Sequence, residues 1–327
     1  MALIDVQSLS KFYGPHAAVR DVSFKIKEGE IVGLLGLNGA GKSTILKILG
    51  SFLLPSAGQA SMAGFSVEFD ADRVRELIGY LPDRPPLYDE MKVVPYLRFV
   101  AKLKNIPADQ IESRISDVLR KTNLEEVAWK CLGELSHGFR QRAGIAQALI
   151  HNPSIIILDE PINGLDPVQI VEMRDLILSL RGKHTVILSS HILSEITRTC
   201  DRILIIDKGR LVAEGKESEL ETAFVTTMRI IAEVQGEVNV AALEAIKGVR
   251  QVGITQNAGA QNNSANISVV TLDCDGDVRA QIAKSIVSSG ADLLEMSREG
   301  NGLEAVFMNL VKSSNKSTGK PEGVKHA

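Results

Sequence analysis

The stretch Gly36 to Thr44 reads GLNGAGKST and fits the phosphate-binding pattern G-x-x-x-x-G-K-[ST]. Gly36, Gly39 and Gly41 let backbone N–H groups close around phosphate oxygens, and a following helix would point its positive end at the same place. The candidate cradle is therefore Asn38, Gly39, Ala40, Gly41, Lys42, Ser43 and Thr44, with Lys42 reaching the β- and γ-phosphates and the Ser43 hydroxyl a ligand for Mg²⁺. Asp159 and Glu160 stand side by side after an apolar run, a costly arrangement unless a cation or a reaction uses them. Ser136 and Gly138, at the start of a helical pattern, combine a hydroxyl, a flexible backbone and free N–H groups. Those are the parts of an anion site, but taken alone they read as an ordinary capped helix. Tyr13 is, from position, either a half-buried strand residue or a flat platform for a base. His191, taken alone, reads as a structural imidazole. A P-loop by itself leaves kinase, GTPase, motor and transporter ATPase open.

The elements that must position these groups alternate in type. An apolar strand, Ile31 to Leu35, leads into the loop, and Ile45, Leu46, Ile48 and Leu49 continue it as a helix. Upstream, Leu3 to Ser8, a Gly14-Pro15 break, and alternating Val22, Phe24 and Ile26 predict an amphipathic β edge. The strand Ile78 to Pro82 ends in Asp83, and Arg84-Pro85-Pro86 marks a loop. Residues 91–132 read as helices, an insert of about 84–135 within an α/β core. Asn152-Pro153 stops the helix that opens near Ser136, and Ile155 to Leu158 reads as a parallel strand buried on both faces. The turn Gly164-Leu165-Asp166-Pro167, a helix from Gln169 to Leu180, and strands at Thr185 to Leu188 and Ile203 to Ile206 complete the pattern.

Near residue 222 the order changes to β-α-β-β-α-β, which suggests a small α+β ferredoxin-like domain. Its parts are a polar loop at 257–265, a final helix from Leu303 to Val311, and a disordered tail at 313–327. The expected domains are 1–220, 221–312 and the tail.

With 327 residues and a formal net charge of −3, the chain has room for two cores and lacks the basic field that broad nucleic-acid binding uses. Its longest apolar runs fall far short of the ~20 residues needed to cross a bilayer, and no charged-then-apolar leader opens it. A membrane role would therefore be peripheral. Three scattered cysteines, Cys131, Cys200 and Cys274, suit a reducing cytoplasm.

Taken together and in order, GLNGAGKST, LSHGFRQR, IIILDEP, GLD and the LSSH ending in His191 resemble the ATP-binding subunit of an ABC transporter over residues 1 to about 220. The phrases GYLPDRPPLY and GLDPVQ are most similar to ABC-2-type exporter ATPases of the gliding-motility and copper-site-maturation kind. This resemblance implies an ATPase with a RecA-like core, a β edge and a helical subdomain. It implies ATP and Mg²⁺ as cofactors, Tyr13 stacking on adenine, and Mg²⁺ held by Ser43 and Asp159 with Asp83 beside them. It also implies Glu160 as general base, with Lys42 and His191 as its catalytic partners at the γ-phosphate. A homodimer would sandwich two ATP molecules, Ser136 and Gly138 meeting the neighbour's γ-phosphate and Asp166 linking the two chains. A separate membrane permease would dock near Leu87 and Tyr88, placing the protein at the inner face of the cell membrane; a locally packed helical layer is the alternative for that region. A soluble ABC ATPase acting on ribosomes or DNA usually has two fused cassettes or a long coiled coil, and here there is one P-loop and no sustained heptad pattern. Two departures stand out: Asp83 where the family commonly has Gln, and His137 and Phe139 where the signature most often reads Gly and Gln.

Overall fold

A computed structural model describes residues 2–224, 228–256 and 267–299. The loop expected at 257–265, the helix at 303–311 and the tail at 313–327 lie outside the described residues. The chain divides into two compact units, Met1–Lys216 and Glu217–Ala327.

In the first unit, β1 (Ala2–Tyr13) and β2 (His16–Lys27) form a hairpin around Gly14-Pro15, with Tyr13 paired to His16. The sequence pattern ended the first strand at Ser8. The ladder instead continues to Tyr13 through register shifts around Leu9 and Lys11, with Ser8 at φ +47, so irregularity hides the alternation without ending the pairing. β3 (Ile31–Leu35) is buried along its whole length and feeds α1 (Lys42–Leu49). Then come β4 (Ala57–Met62), β5 (Phe65–Ser66), α2 (Ala71–Leu77) and β6 (Ile78–Leu81). The insert contains α3 (Val93–Leu103) and α4 (Ala108–Lys121), which starts directly after Pro107 and buries Ile111, Ile115, Val118 and Leu119 on one face. α5 (His137–Leu149), β7 (Ile155–Asp159), α6 (Pro167–Ser179), β8 (Thr185–Ser190), α7 (Leu193–Thr199), β9 (Arg202–Asp207) and β10 (Arg210–Gly215) follow.

These strands make two sheets. The antiparallel sheet has the order β2-β1-β4-β5, and the larger one β10-β9-β3-β8-β7-β6, parallel except for its β10 edge. One core joins them: Ile45, Leu46, Ile48 and Leu49 of α1 are buried in a cluster with Val6 and Phe24 of the first sheet and Ile155, Ile157 and Leu204 of the second. Burying each such side chain contributes about 1.5–3 kcal/mol, so α1 is fixed by packing on both sides. The carboxyl ends of β3, β6, β7 and β8 lie along one edge, where open parallel sheets bind ligands.

The second unit begins with α8 (Glu217–Phe224). It continues as β11 (Met228–Gln235), α9 (Val240–Glu244), β12 (Val249–Gln256), β13 (Ile267–Cys274), α10 (Arg279–Ser288) and β14 (Asp292–Glu299). Its sheet, ordered β12-β13-β11-β14, is antiparallel throughout. Alternate residues Ile230, Ala232, Val234, Val270 and Leu272 pack against Leu243, Ile282 and Ile286 of the helices, giving this unit its own core.

Candidate nucleotide site

The loop after β3 is shaped by contacts that leave no room for side chains. Gly41, at φ +109, starts α1, and a Cβ there would come within 2.4 Å of the Ala18 carbonyl oxygen. Gly39, at φ +81, turns the chain in open space. No side chain caps α1, so its first amides face outward from the loop with the positive end of the helix. Asn38, Gly39, Ala40, Gly41, Lys42, Ser43 and Thr44 line one cleft together with Tyr13, His16, Ala18, Asp83, Glu160 and Asn163.

Lys42 is 5% exposed, and its ammonium donates to the carbonyls of Gly36 (2.7 Å) and Leu37 (3.3 Å) and lies 3.2 Å from Glu160 Oε1. The other carboxylate oxygen, Oε2, is 2.9 Å from His191 Nδ1. Glu160 is thus held between a cation and an imidazole at the end of β7. Its backbone sits at φ +51, a left-handed conformation that costs a non-glycine residue on the order of 1–3 kcal/mol when the surroundings impose it. Two bonds impose it here: Glu160 N–H donates to Ser189 Oγ (2.9 Å), and Asn163 N–H donates to the Glu160 carbonyl (3.1 Å).

Asp159 accepts from the hydroxyls of Ser189 (2.6 Å) and Ser43 (3.1 Å). Burial pushes its carboxyl above the usual carboxylate range; the Ser189 and Ser43 bonds oppose this, and the charges of Glu160 and Asp83 add to it. Ser189 is fully buried and bonds both acids' residues, a role absent from the sequence-based candidate set. Two adjacent serines closing the buried strand TVILSS directly before His191 are a compositional signal that points to it. His16, Ala18 and Asn163 also line the cleft without having been expected there.

Tyr13 is half exposed beside the loop, with the Lys11 ammonium 5.6 Å from its ring centroid. Ser136, Gly138 and Asp166 are not part of this cleft. Ser136 occupies the N-cap position of α5, but its hydroxyl makes no capping bond, which corrects the expectation of a side-chain-capped helix. Asp166 does cap: its Oδ1 accepts from the amides of Val168 (3.0 Å) and Gln169 (2.9 Å) at the start of α6, ahead of Pro167 at the first helical position.

A buried strand, a glycine loop, a lysine and serine opening a helix, and an acid pair on a neighbouring parallel strand define a P-loop ATPase cassette. Residues 19–163 match the ABC transporter family. An uncharacterized ABC transporter ATP-binding protein of Bacillus subtilis, YxlF, is 38% identical over 219 residues, covering 67% of this chain and 72% of the relative. The bacitracin transport ATP-binding protein BcrA of Bacillus licheniformis is 30% identical over 311 residues, covering 94% and 97%. Among solved structures, an ATP-binding subunit of an ABC transporter aligns with a TM-score of 0.63 at 32% identity, over 68% of this chain and 93% of that one. A dimeric ATP-binding cassette in a post-hydrolysis state with ADP and Pi aligns with a TM-score of 0.60 at 27% identity, over 65% and 98%. The chain belongs to the ATP-binding subunits of ABC transporters, which hydrolyse ATP to energise a membrane permease.

Proposed function

We propose that the chain is the ATPase of an ABC-2-type exporter and works as a homodimer, each P-loop cleft being closed by Ser136 and Gly138 of the other copy. The observation that carries the catalytic part is Glu160 held between Lys42 (3.2 Å) and His191 (2.9 Å) at the cleft wall. In this reading Lys42 and the loop amides offset charge on the γ-phosphate, and Glu160 orients a water and takes its proton. Because an ionised carboxylate accepts only, His191 Nδ1 carries the proton of their shared bond, which leaves Nε2 to face the phosphate. Tyr13 stacks on the adenine ring.

The donor set fits Mg²⁺. Ser43 Oγ and Asp159 Oδ1 lie 3.1 Å apart, both hard oxygen donors, and a buried carboxyl raised by burial with two further acids nearby is the environment a divalent cation relieves. When bound, Mg²⁺ would neutralise charge on the β- and γ-phosphates. Asp83, on the rim of the cleft, would be the acid that senses this ion.

No helix among the described residues is long and apolar enough to cross a membrane, and as in the family, coupling would run to a membrane permease. A groove lined by Arg75, Pro86, Tyr88, Phe99, Leu103 and Lys104 supports a docking place for it beside the Asp83 loop, on the cytoplasmic face of the membrane. The Nod factor export relative of Rhizobium etli, 36% identical over 222 residues, supports export as the direction. Replacing Glu160 by Gln keeps shape and removes the base. Steady-state hydrolysis is expected to fall by about 10²- to 10⁴-fold with ATP binding retained, and near-normal hydrolysis would overturn the assignment.

A further inference from the structure

The residue at the second signature position, His137, has no part in the site described above, yet it is not idle. Its Nε2 lies 2.9 Å from the carbonyl oxygen of Asn163. A carbonyl only accepts, so Nε2 carries the proton and the ring donates. Asn163 lines the nucleotide cleft, and its own amide holds the Glu160 carbonyl at 3.1 Å. The loop also passes the imidazole closely: Gly164 is at φ +73, and a Cβ there would stand 3.3 Å from His137 Nε2. Beside it, the start of α5 also meets the first turn of α6, since a Cβ on Gly138 would come within 2.5 Å of Gln169 Oε1.

We propose that His137 is a positioning residue that ties the start of α5 to the loop carrying Glu160, so that engagement of Ser136 and Gly138 at one nucleotide adjusts the base that serves the other. This rests on the reading of Glu160 as general base and of α5 as the contact to a second copy's nucleotide. A glycine at 137, the residue most often found there in the signature, has no side chain to make the bond. The link runs within one chain from His137 through Asn163 and Glu160 to Lys42 and His191. His137 is solvent-exposed, so the bond competes with water and its loss should be felt as a several-fold effect and not as collapse of the fold.

The test compares the full-length protein with His137→Ala and with His137→Gln, whose amide keeps a donor near the place of Nε2. Amide hydrogen exchange of residues 160–166 is measured without nucleotide, and kcat, cooperativity in ATP and affinity for a non-hydrolysable ATP analogue are measured alongside. In His137→Ala, exchange in that loop should rise about three- to tenfold and kcat should fall by a similar factor with reduced cooperativity, while analogue affinity stays unchanged. His137→Gln should restore the loop and the rate together. Unchanged exchange overturns the inference, as does faster exchange with unchanged kcat, or a Gln variant that behaves like Ala. Glu160→Gln, run in parallel, separates the two readings: full turnover there defeats the catalytic role of Glu160, whereas unchanged loop exchange in His137→Ala defeats the link even if Glu160→Gln is inactive.

Discussion

Two helix starts of the cassette, α1 and α5, lack a side-chain cap, as α2, α3, α4 and α7 also do, but the surroundings of these two are opposite in kind. At α1, Lys42 is buried against Glu160 and two carbonyls, and Ser43 bonds Asp159. Cation, hydroxyl, acid pair and imidazole all come from one chain. At α5, Ser136 is exposed with its hydroxyl unused by the helix, and Asp166, which caps α6, belongs to the neighbouring turn. A third helix start, α6, shows what self-sufficiency looks like, with one carboxylate holding two amides. The contrast teaches that α1 gathers charged and hydroxyl groups of its own chain, whereas the α5 start has no such partners and, in the proposed dimer, would receive the second copy's nucleotide. In the proposed homodimer the two ends would meet.

The largest test of that contrast is Gly138→Asp, which sets a carboxylate at the start of α5. The displaced neighbour is the flexible end of Gln169, so the fold has a route to accommodate the change. If α5 contacts a second copy's nucleotide, hydrolysis should fall by about 10²-fold or more, as when a preorganised anion contact is lost. Binding of ATP by the single chain, followed by equilibrium titration, should be unaffected because this residue does not line the cleft. Loss of binding together with turnover would erase the distinction. A smaller effect is expected from Asp166→Ala. It removes the α6 cap and should lower stability by about 1 kcal/mol in denaturant titration, with a lesser effect on turnover than Gly138→Asp. A loss of turnover as large as that of Gly138→Asp, with stability unchanged, would mean that Asp166 acts across the dimer and not through α6.

The cleft was largely legible in the sequence because its residues are tied to strand ends. The runs Ile31 to Leu35 and Ile155 to Leu158 are buried parallel strands, and whatever follows them must emerge at the same edge. Short, polar or irregular elements were not legible: β4 reads AGQASM, β5 has two residues, and the later part of β1 is broken by register shifts. Ser189 escapes a reading by periodicity because its signal is compositional, a serine pair ending a buried strand, although it bonds the side chain of one acid and the backbone of the other. Ser136 is legible as the head of α5, but that its hydroxyl makes no bond to the helix depends on a side-chain orientation that sequence pattern does not carry. The tie from His137 to Asn163 spans 26 positions and joins two loops, so no local pattern could have announced it.

The central claim, that the P-loop of one copy works with the α5 start of another, is tested most directly by mixing two inactive variants. Lys42→Ala keeps α5 intact and loses the P-loop cation, and Gly138→Asp does the reverse. After co-refolding or subunit exchange, ATPase activity should rise well above that of either variant alone, because mixed dimers contain one site with both halves intact. Activity of the mixture no greater than the sum of its components, with mixed dimers demonstrated, would contradict the account.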